Sequence, residues 1–246
     1  PCREARHRRN RAMTRSINRI LPGIELGYDR DVLPLSKAPE GGGVTERHLM
    51  YALARRIVQR TGRGSAAIGF LEDAMGVALS PKQRAQLSDI GYPFYEYDLL
   101  GILKSSFLPG IYIDADEECP SLDEIAGLCR DIDALLCYAY LGDVTDSVTG
   151  DKKAQKFEDD YLDEVMECMA EHGVRGVTYM PTRNTPAQLA RIRELAERHG
   201  FIQVSGEDIN SPRQSFVIRA MDNPAFSNLI ESTWKLIDHE TKGAKL

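Results

Sequence analysis

The stretch that decides the fold is residues 174–205, VRGVTYMPTRNTPAQLARIRELAERHGFIQVS. It begins and ends with short apolar runs, 174–180 and 201–205, which predict two β-strands. Between them, Pro186 predicts the start of a helix over 185–199, because proline suits the first helical position. A strand, a helix and a second strand in this order predict a right-handed parallel crossover.

The same alternation extends outward from this stretch. A strand is predicted over 134–140 after a helix over 121–131, and further helices are predicted over 154–172 and 224–240. Regular alternation of strands and helices is typical of α/β proteins with a parallel sheet. The length of 246 residues fits one α/β barrel, so we expect a single domain over 1–246.

The first half of the chain has a different pattern. Residues 60–110 carry helical patterns without a clear strand, which predicts a helical insertion or lid. Before them, residues 21–26 predict a turn into a short apolar strand, and a helix is predicted from Val44 to about Gln59. Glu25 lies inside that predicted strand, where an unpaired charge is costly, so we expect it to be a ligand or to have a charged partner.

Composition narrows the class of protein. Hydrophobic residues make up 42% of the chain and charged residues 28%, which supports a packed core and argues against disorder. No apolar run approaches the roughly 18 residues of a membrane-spanning helix, and the net charge of −6 argues against binding of nucleic acid. Five cysteines, an odd number without Cys-x-x-Cys spacing, predict a reduced, cytoplasmic protein.

The candidate site residues are charged and amide side chains that follow the predicted strands, together with Glu25 near the end of the strand predicted at 21–26. They are Glu25, Asp143, Lys152, Arg183, Asp208, Asn210 and Arg213. Ligands of parallel α/β folds bind at the carboxyl ends of the strands. There, carboxylates can hold divalent cations, and arginine or lysine can hold phosphate.

Each of these residues also has a purely structural alternative. Asp208 could cap its own turn, and Arg183 and Arg213 could form surface ion pairs. No two histidines have metal-ligand spacing, so a histidine-based zinc site is not expected.

Three segments carry a resemblance to a known family. LPGIEL at 21–26 resembles the PGIE strand of the polymerase and histidinol phosphatase (PHP) superfamily, GVTYMP at 176–181 and the helix after it resemble its late strand–helix unit, and GEDIN at 206–210 resembles its GSDxH turn. The similarity covers roughly 1–60 and 120–240. It implies a distorted (β/α)7 barrel of the TIM type with metal-dependent phosphoesterase activity.

The resemblance assigns ligand positions and also shows departures from the family. Glu25 and Asp208 keep the family's ligand types, whereas Asn210, Tyr140 and Thr178 stand where the family has other ligands. The family's amino-terminal His-x-His strand has no counterpart in this sequence. We therefore expect a barrel that is incomplete at its N-terminus and a chain that self-associates through exposed sheet edges as a homo-oligomer.

Three functions follow as hypotheses. The first is a metal-dependent hydrolase of a phosphate ester, with a divalent Mn, Mg, Zn or Fe ion. Its metal ligands would be Glu25, Asp208 and Asn210, and its catalytic and phosphate-holding residues would be Asp143, Lys152, Arg183 and Arg213.

The alternative is an inactive barrel that binds a phosphorylated or anionic ligand at the same loops. The third is a barrel of the sugar isomerase or amidohydrolase type. The first two hypotheses predict a phosphorylated small molecule as partner, and none predicts a membrane.

Overall fold

The structure, a computed structural model, describes residues 2–144 and 155–243. Helices of all types contain 61% of these residues. The chain divides into two compact units, residues 1–120 and 121–246. This division does not test the expectation of a single domain over 1–246, which stays a prediction.

The first unit is helical throughout its described part. Its α-helices are α1 (Cys2–Ile20), α2 (Glu46–Thr61), α3 (Ser65–Gly69), α4 (Pro81–Ser88) and α5 (Tyr95–Ser106). Leu49, Leu53 and Ile57 recur at helical spacing along α2 and are fully buried in the core of this unit. The helix predicted from Val44 to Gln59 and the helical pattern of residues 60–110 are both confirmed.

Residues 21–26 do not form the predicted strand. The backbone N–H of Leu21 still donates to the carbonyl oxygen of Ile17 in α1, and the chain then turns. The side chain of Asn18 donates to the carbonyl oxygen of Leu26 and accepts from its N–H, both at 2.8 Å. The Asn18 side chain thus occupies both backbone groups of Leu26, and this apolar segment packs among helices instead of pairing with a strand.

The second unit contains a small parallel sheet. Its strands are β1 (Cys137–Ala139), β2 (Gly176–Tyr179) and β3 (Ile202–Ser205), and its helices are α6 (Leu122–Asp131), α7 (Leu162–Glu171), α8 (Pro186–His199) and α9 (Ser227–Lys242). The strand order is β1-β2-β3. Thr178 in β2 lies opposite Ala139 on one side and Val204 on the other. The strand–helix–strand unit predicted from residues 174–205 is confirmed.

The predicted (β/α)7 barrel of the TIM type is wrong. The described residues form one open sheet of three strands, each three or four residues long, and the sheet does not close. The physical reason lies in the first unit, where buried side chains such as Met13, Leu53 and Leu99 belong to a core built between helices. Those apolar residues therefore contribute no strands to a barrel. The expectation of a barrel that is incomplete at its N-terminus is wrong for the same reason.

Two smaller outcomes complete the fold. The helix predicted over 154–172 begins only at Leu162, because Asp159–Tyr161 form a separate turn before α7. Of the helices in the described ranges, none has both the length and the apolar composition needed to cross a membrane.

Candidate functional site at the sheet edge

The candidate site lies at the carboxyl edge of the three-stranded sheet. Residues 140–143 follow β1, residues 180–184 follow β2, and residues 206–210 follow β3. Because neighbouring strands are parallel, these three segments begin at the same edge. The edge therefore brings together the loops in which the sequence places Asp143, Arg183 and Asp208.

Asp159 is the centre of a hydrogen-bond network that involves the residues following β1 and helix α8. Its carboxylate accepts from the Tyr140 hydroxyl at 2.6 Å, from the Gln188 amide at 2.7 Å and from the backbone N–H of Asp143 at 3.0 Å. Burial acts to raise the pKa of Asp159, but the hydrogen bonds from Tyr140 and Gln188 outweigh it and hold that pKa below its usual value. Burial, together with the Asp159 carboxylate, raises the pKa of Tyr140 far above its usual value.

The turn after β1 requires glycine at position 142. Gly142 has φ +70°, and a Cβ there would lie 2.8 Å from both the Asn184 and Gln188 amide nitrogens. Asn184 itself donates to the carbonyl oxygen of Leu141 at 2.8 Å and accepts from the N–H of Met180 at 2.9 Å. Glu158 is buried and accepts from the N–H of Leu141 at 2.7 Å. The side chains of Asn184 and Glu158, from two different segments, thus fix the backbone of this turn.

Asp143 and Arg183 are brought together through Phe157. The Asp143 carboxylate accepts the backbone N–H of Phe157 at 2.6 Å, and the Arg183 guanidinium lies over the Phe157 ring, 5.4 Å from its centroid. Lys156 adds a weaker ion pair, with its ammonium 3.6 Å from Asp143. Nε of Arg183 is buried and has no hydrogen-bond acceptor among the described residues.

In the loop after β3, one acidic side chain closes a local turn and its neighbour links this loop to the loop after β2. The Asp208 carboxylate accepts from the Asn210 amide at 2.6 Å, so this pair closes a local turn. The neighbouring Glu207 carboxylate accepts the N–H of Thr182 at 2.8 Å and also the Thr182 hydroxyl, and so ties the loops after β2 and β3 together. Arg213 is exposed on the same loop.

Two candidates remain, Glu25 and Lys152. Glu25 belongs to the first unit, has an exposed side chain and lies in a loop, so its predicted place inside a strand is wrong. Its backbone has φ +51°, a left-handed value that is uncommon outside glycine. Lys152 lies outside the described residues.

The acidic residues of the edge do not group into a metal site. Within residues 2–144 and 155–243, no three His, Cys, Asp or Glu side chains are arranged to hold a metal ion. The carboxylates of Asp143, Asp159 and Glu207 each accept backbone N–H groups and thereby hold loops in place. This donor set does not fit the divalent ion that the resemblance implies.

The sequence reasoning missed Phe157, Glu158 and Asp159, which organise the edge. These residues fell inside a helix predicted over 154–172. A sequence signal does exist, because Asp159 and Asp160 directly precede the amphipathic helix α7, where acidic residues favour a helix start.

Comparisons with family models, with curated proteins and with solved structures found no match to this chain.

Proposed function

We propose that the second unit binds a phosphorylated small molecule at the carboxyl edge of its sheet, with Arg183 contacting the phosphate. The single observation that carries this proposal is the state of the Arg183 guanidinium. It stacks on Phe157, its Nε is buried without an acceptor, and no ion pair links it to a carboxylate within the described parts of the chain.

The chemistry of arginine supports this role. A guanidinium offers a planar fork of donors that matches two phosphate oxygens, and stacking on an aromatic ring fixes the plane of that fork. A buried donor without an acceptor costs about 1–3 kcal/mol. Nε is closed to solvent, so a phosphate oxygen reaches it only after neighbouring side chains shift, and the bond formed would then recover that cost.

The position of Arg183 supports the proposal as well. It follows β2, the central strand, and stands just before Pro186, the first residue of α8. The partial positive charge at the N-terminus of a helix favours anions nearby. The Asp143 carboxylate is engaged by the backbone N–H of Phe157, the residue whose ring contacts Arg183.

The test compares two arginines that flank the same strand. Arg183, which is half-buried, follows the carboxyl end of β2, and Arg175, which is exposed, precedes its amino end. A panel of sugar phosphates and nucleoside monophosphates is screened by thermal shift, and the hits are titrated by calorimetry. We expect Arg183→Ala to weaken binding about tenfold or more, since a hydrogen bond to a charged group contributes about 1.5–3 kcal/mol. Arg175→Ala should bind as the wild type does.

Two results would refute the proposal. One is a wild-type melting temperature that no phosphorylated compound raises. The other is an affinity that falls equally in Arg183→Ala and Arg175→Ala, which would indicate a general effect of charge.

Hydrolysis of a phosphate ester is the second candidate, favoured by the placement of Asp143 next to the Phe157–Arg183 pair. The same panel is assayed for release of phosphate with Mn²⁺, Mg²⁺, Zn²⁺ or Fe²⁺ added in turn. Turnover that is lost in both Asp143→Asn and Arg183→Ala would support a hydrolase. Binding without turnover under all four conditions would reject it and leave a binding module.

A further inference from the structure

The first unit contains a small cavity lined by three arginines. Arg30, Arg55 and Arg56 face it together with Asp31 and Gln59, and its volume is about 140 Å³. A water molecule takes up about 30 Å³ in the liquid, so the cavity has room for a group of several heavy atoms.

Two of the three guanidinium groups are held in place by the same two acceptors. The Asp31 carboxylate accepts from Arg30 at 2.9 Å and from Arg56 at 3.0 Å. The carbonyl oxygen of Glu25 also accepts from both arginines, at 2.6 Å and 3.3 Å. Two arginines with shared acceptors lose little further side-chain entropy when they bind a ligand.

The backbone of Glu25 is adapted to this arrangement. Its φ of +51° turns the chain so that one carbonyl oxygen meets both Arg30 and Arg56, and Asn18 holds the next residue, Leu26, in place. A non-glycine residue in this region costs about 1–3 kcal/mol, and such strain is concentrated at functional sites. The residue that the sequence marked as a metal ligand thus acts through its main chain on an arginine pair.

The cavity keeps an excess of positive charge and of free donors. Its three arginines against one aspartate give a net charge of +2 among the lining residues. Within the described residues, Nη1 of Arg30 and Nη1 of Arg56 have no acceptor, and Arg55 has neither a hydrogen bond nor an ion pair from its side chain. The exposed carboxylate of Glu25 also attracts Arg30 and partly offsets this excess.

We propose that this cavity is a second anion site, which binds the phosphoryl group of a small molecule between Arg30, Arg55 and Arg56. The volume and the donors of the cavity suit a phosphoryl group, since arginine forks bind phosphate oxygens through paired N–H groups. The proposal is independent of the sheet edge, because every residue that carries it belongs to the first unit.

The experiment uses the full chain in an Arg183→Ala background, so that the sheet edge does not contribute. Inorganic phosphate and glucose 6-phosphate are titrated by calorimetry, with chloride as the competing anion. Adding Arg55→Ala should weaken binding of both phosphates about tenfold, and Arg55→Glu should abolish it. The matched control is Arg15→Ala, which removes an exposed arginine from α1 of the same unit and should change nothing.

The outcomes separate the two sites. Phosphate binding that survives Arg183→Ala and is lost on adding Arg55→Ala supports the cavity, whatever the sheet edge does. Binding that Arg183→Ala alone removes overturns the cavity site and leaves the sheet edge intact. Equal weakening by Arg55→Ala and Arg15→Ala also overturns it. Circular dichroism of each variant checks that its helices are folded. Because Arg55 is exposed, we expect its substitution to leave the fold intact.

Discussion

The Tyr140 hydroxyl donates a 2.6 Å hydrogen bond to Oδ1 of Asp159, and this bond joins the end of β1 to the turn before α7. The sequence resemblance to the PHP superfamily implies a metal-ligating histidine at the position of Tyr140. Here its ring is fully buried, and its hydroxyl serves a carboxylate that also accepts from Gln188. The position is thus used to hold the edge of the sheet together.

Tyr140→Phe should lower the free energy of unfolding by about 1–3 kcal/mol, because it removes one donor from a partly buried carboxylate. The pKa of Asp159 should rise, since its hydrogen bond from Tyr140 helps to lower it. Urea unfolding and ¹³C NMR of the carboxyl group measure the two effects. Tyr161→Phe, at an exposed ring in the same turn, is the control. Equal effects of the two variants would contradict this role.

Glu118 and Glu117 allow a comparison of a buried and an exposed ion pair at neighbouring positions. The buried Glu118 carboxylate pairs with Arg6 and Arg9, and Arg9 also pairs with Glu46 at 2.5 Å. Glu117 pairs with Arg8 at the surface. Removing one partner of a buried pair costs about 3–5 kcal/mol, whereas an exposed pair contributes about 0–1 kcal/mol.

We therefore expect Glu118→Gln to destabilise the first unit by several kcal/mol and Glu117→Gln to have almost no effect. Burial acts to raise the pKa of Glu118, but the hydrogen bonds from Arg9 and Arg6 lower it overall. Its stabilising contribution is thus complete above the unfolded-state pKa and disappears as the pH falls through the folded-state pKa. Denaturant unfolding at pH 7 distinguishes the two variants, and a Glu118→Gln protein as stable as Glu117→Gln would show that the network is not stabilising.

The part of the fold that the sequence predicts is the part whose signals are local. Thr185 accepts the N–H of Gln188 in a capping box, and Gly200 ends α8 in a left-handed conformation, so β2, α8 and β3 can be located from residues close in sequence. Residues 21–26 could not be assigned in this way. The Asn18 side chain in the preceding helix satisfies both backbone groups of Leu26, and the apolar pattern alone does not distinguish this arrangement from a strand.

Within the candidate site, too, the residues with a local sequence signal were predicted and those without one were not. Asp143 and Arg183 were found because they directly follow predicted strands. Phe157, which connects them, lies fourteen residues beyond Asp143, and no local pattern indicates that the chain returns there. The arginine cavity was missed because Arg30 and Arg56 meet only through two acceptors, one of them a main-chain carbonyl that has no sequence signature.

Gly142→Ala and Gly200→Ala separate crowding from backbone strain. Both glycines have positive φ, +70° and +67°, but only at Gly142 would a Cβ meet other atoms within 4 Å. The left-handed conformation costs about 1–2 kcal/mol for a residue with a Cβ, and overpacking adds about 1–3 kcal/mol. We expect Gly142→Ala to be the more destabilising by that second amount. Equal losses in denaturant unfolding would mean that Asn184 and Gln188 move aside freely.

The acid stability of the first unit should depend on Asp31. Burial acts to raise its pKa, but hydrogen bonds from Arg30, from the N–H of Gly27 and from Arg56 lower it to about 2, from a usual value of 3.8. Because the folded-state pKa is the lower one, this carboxylate stabilises the fold fully above about pH 4, and the contribution is lost between about pH 4 and pH 2.

Asp31→Asn isolates this contribution. Relative to the wild type, it should lose stability at pH 7 and show a shallower decline of the free energy of unfolding between pH 4 and pH 2, since one titrating group is gone. Asp29→Asn is the control, because Asp29 is mostly exposed and pairs with Arg11 at the surface. If the pH profiles of the two variants coincide, then Asp31 does not anchor Arg30 and Arg56. The arginine cavity would then lack the fixed geometry that makes it an anion site, so this measurement also tests the basis of that proposal without any ligand present.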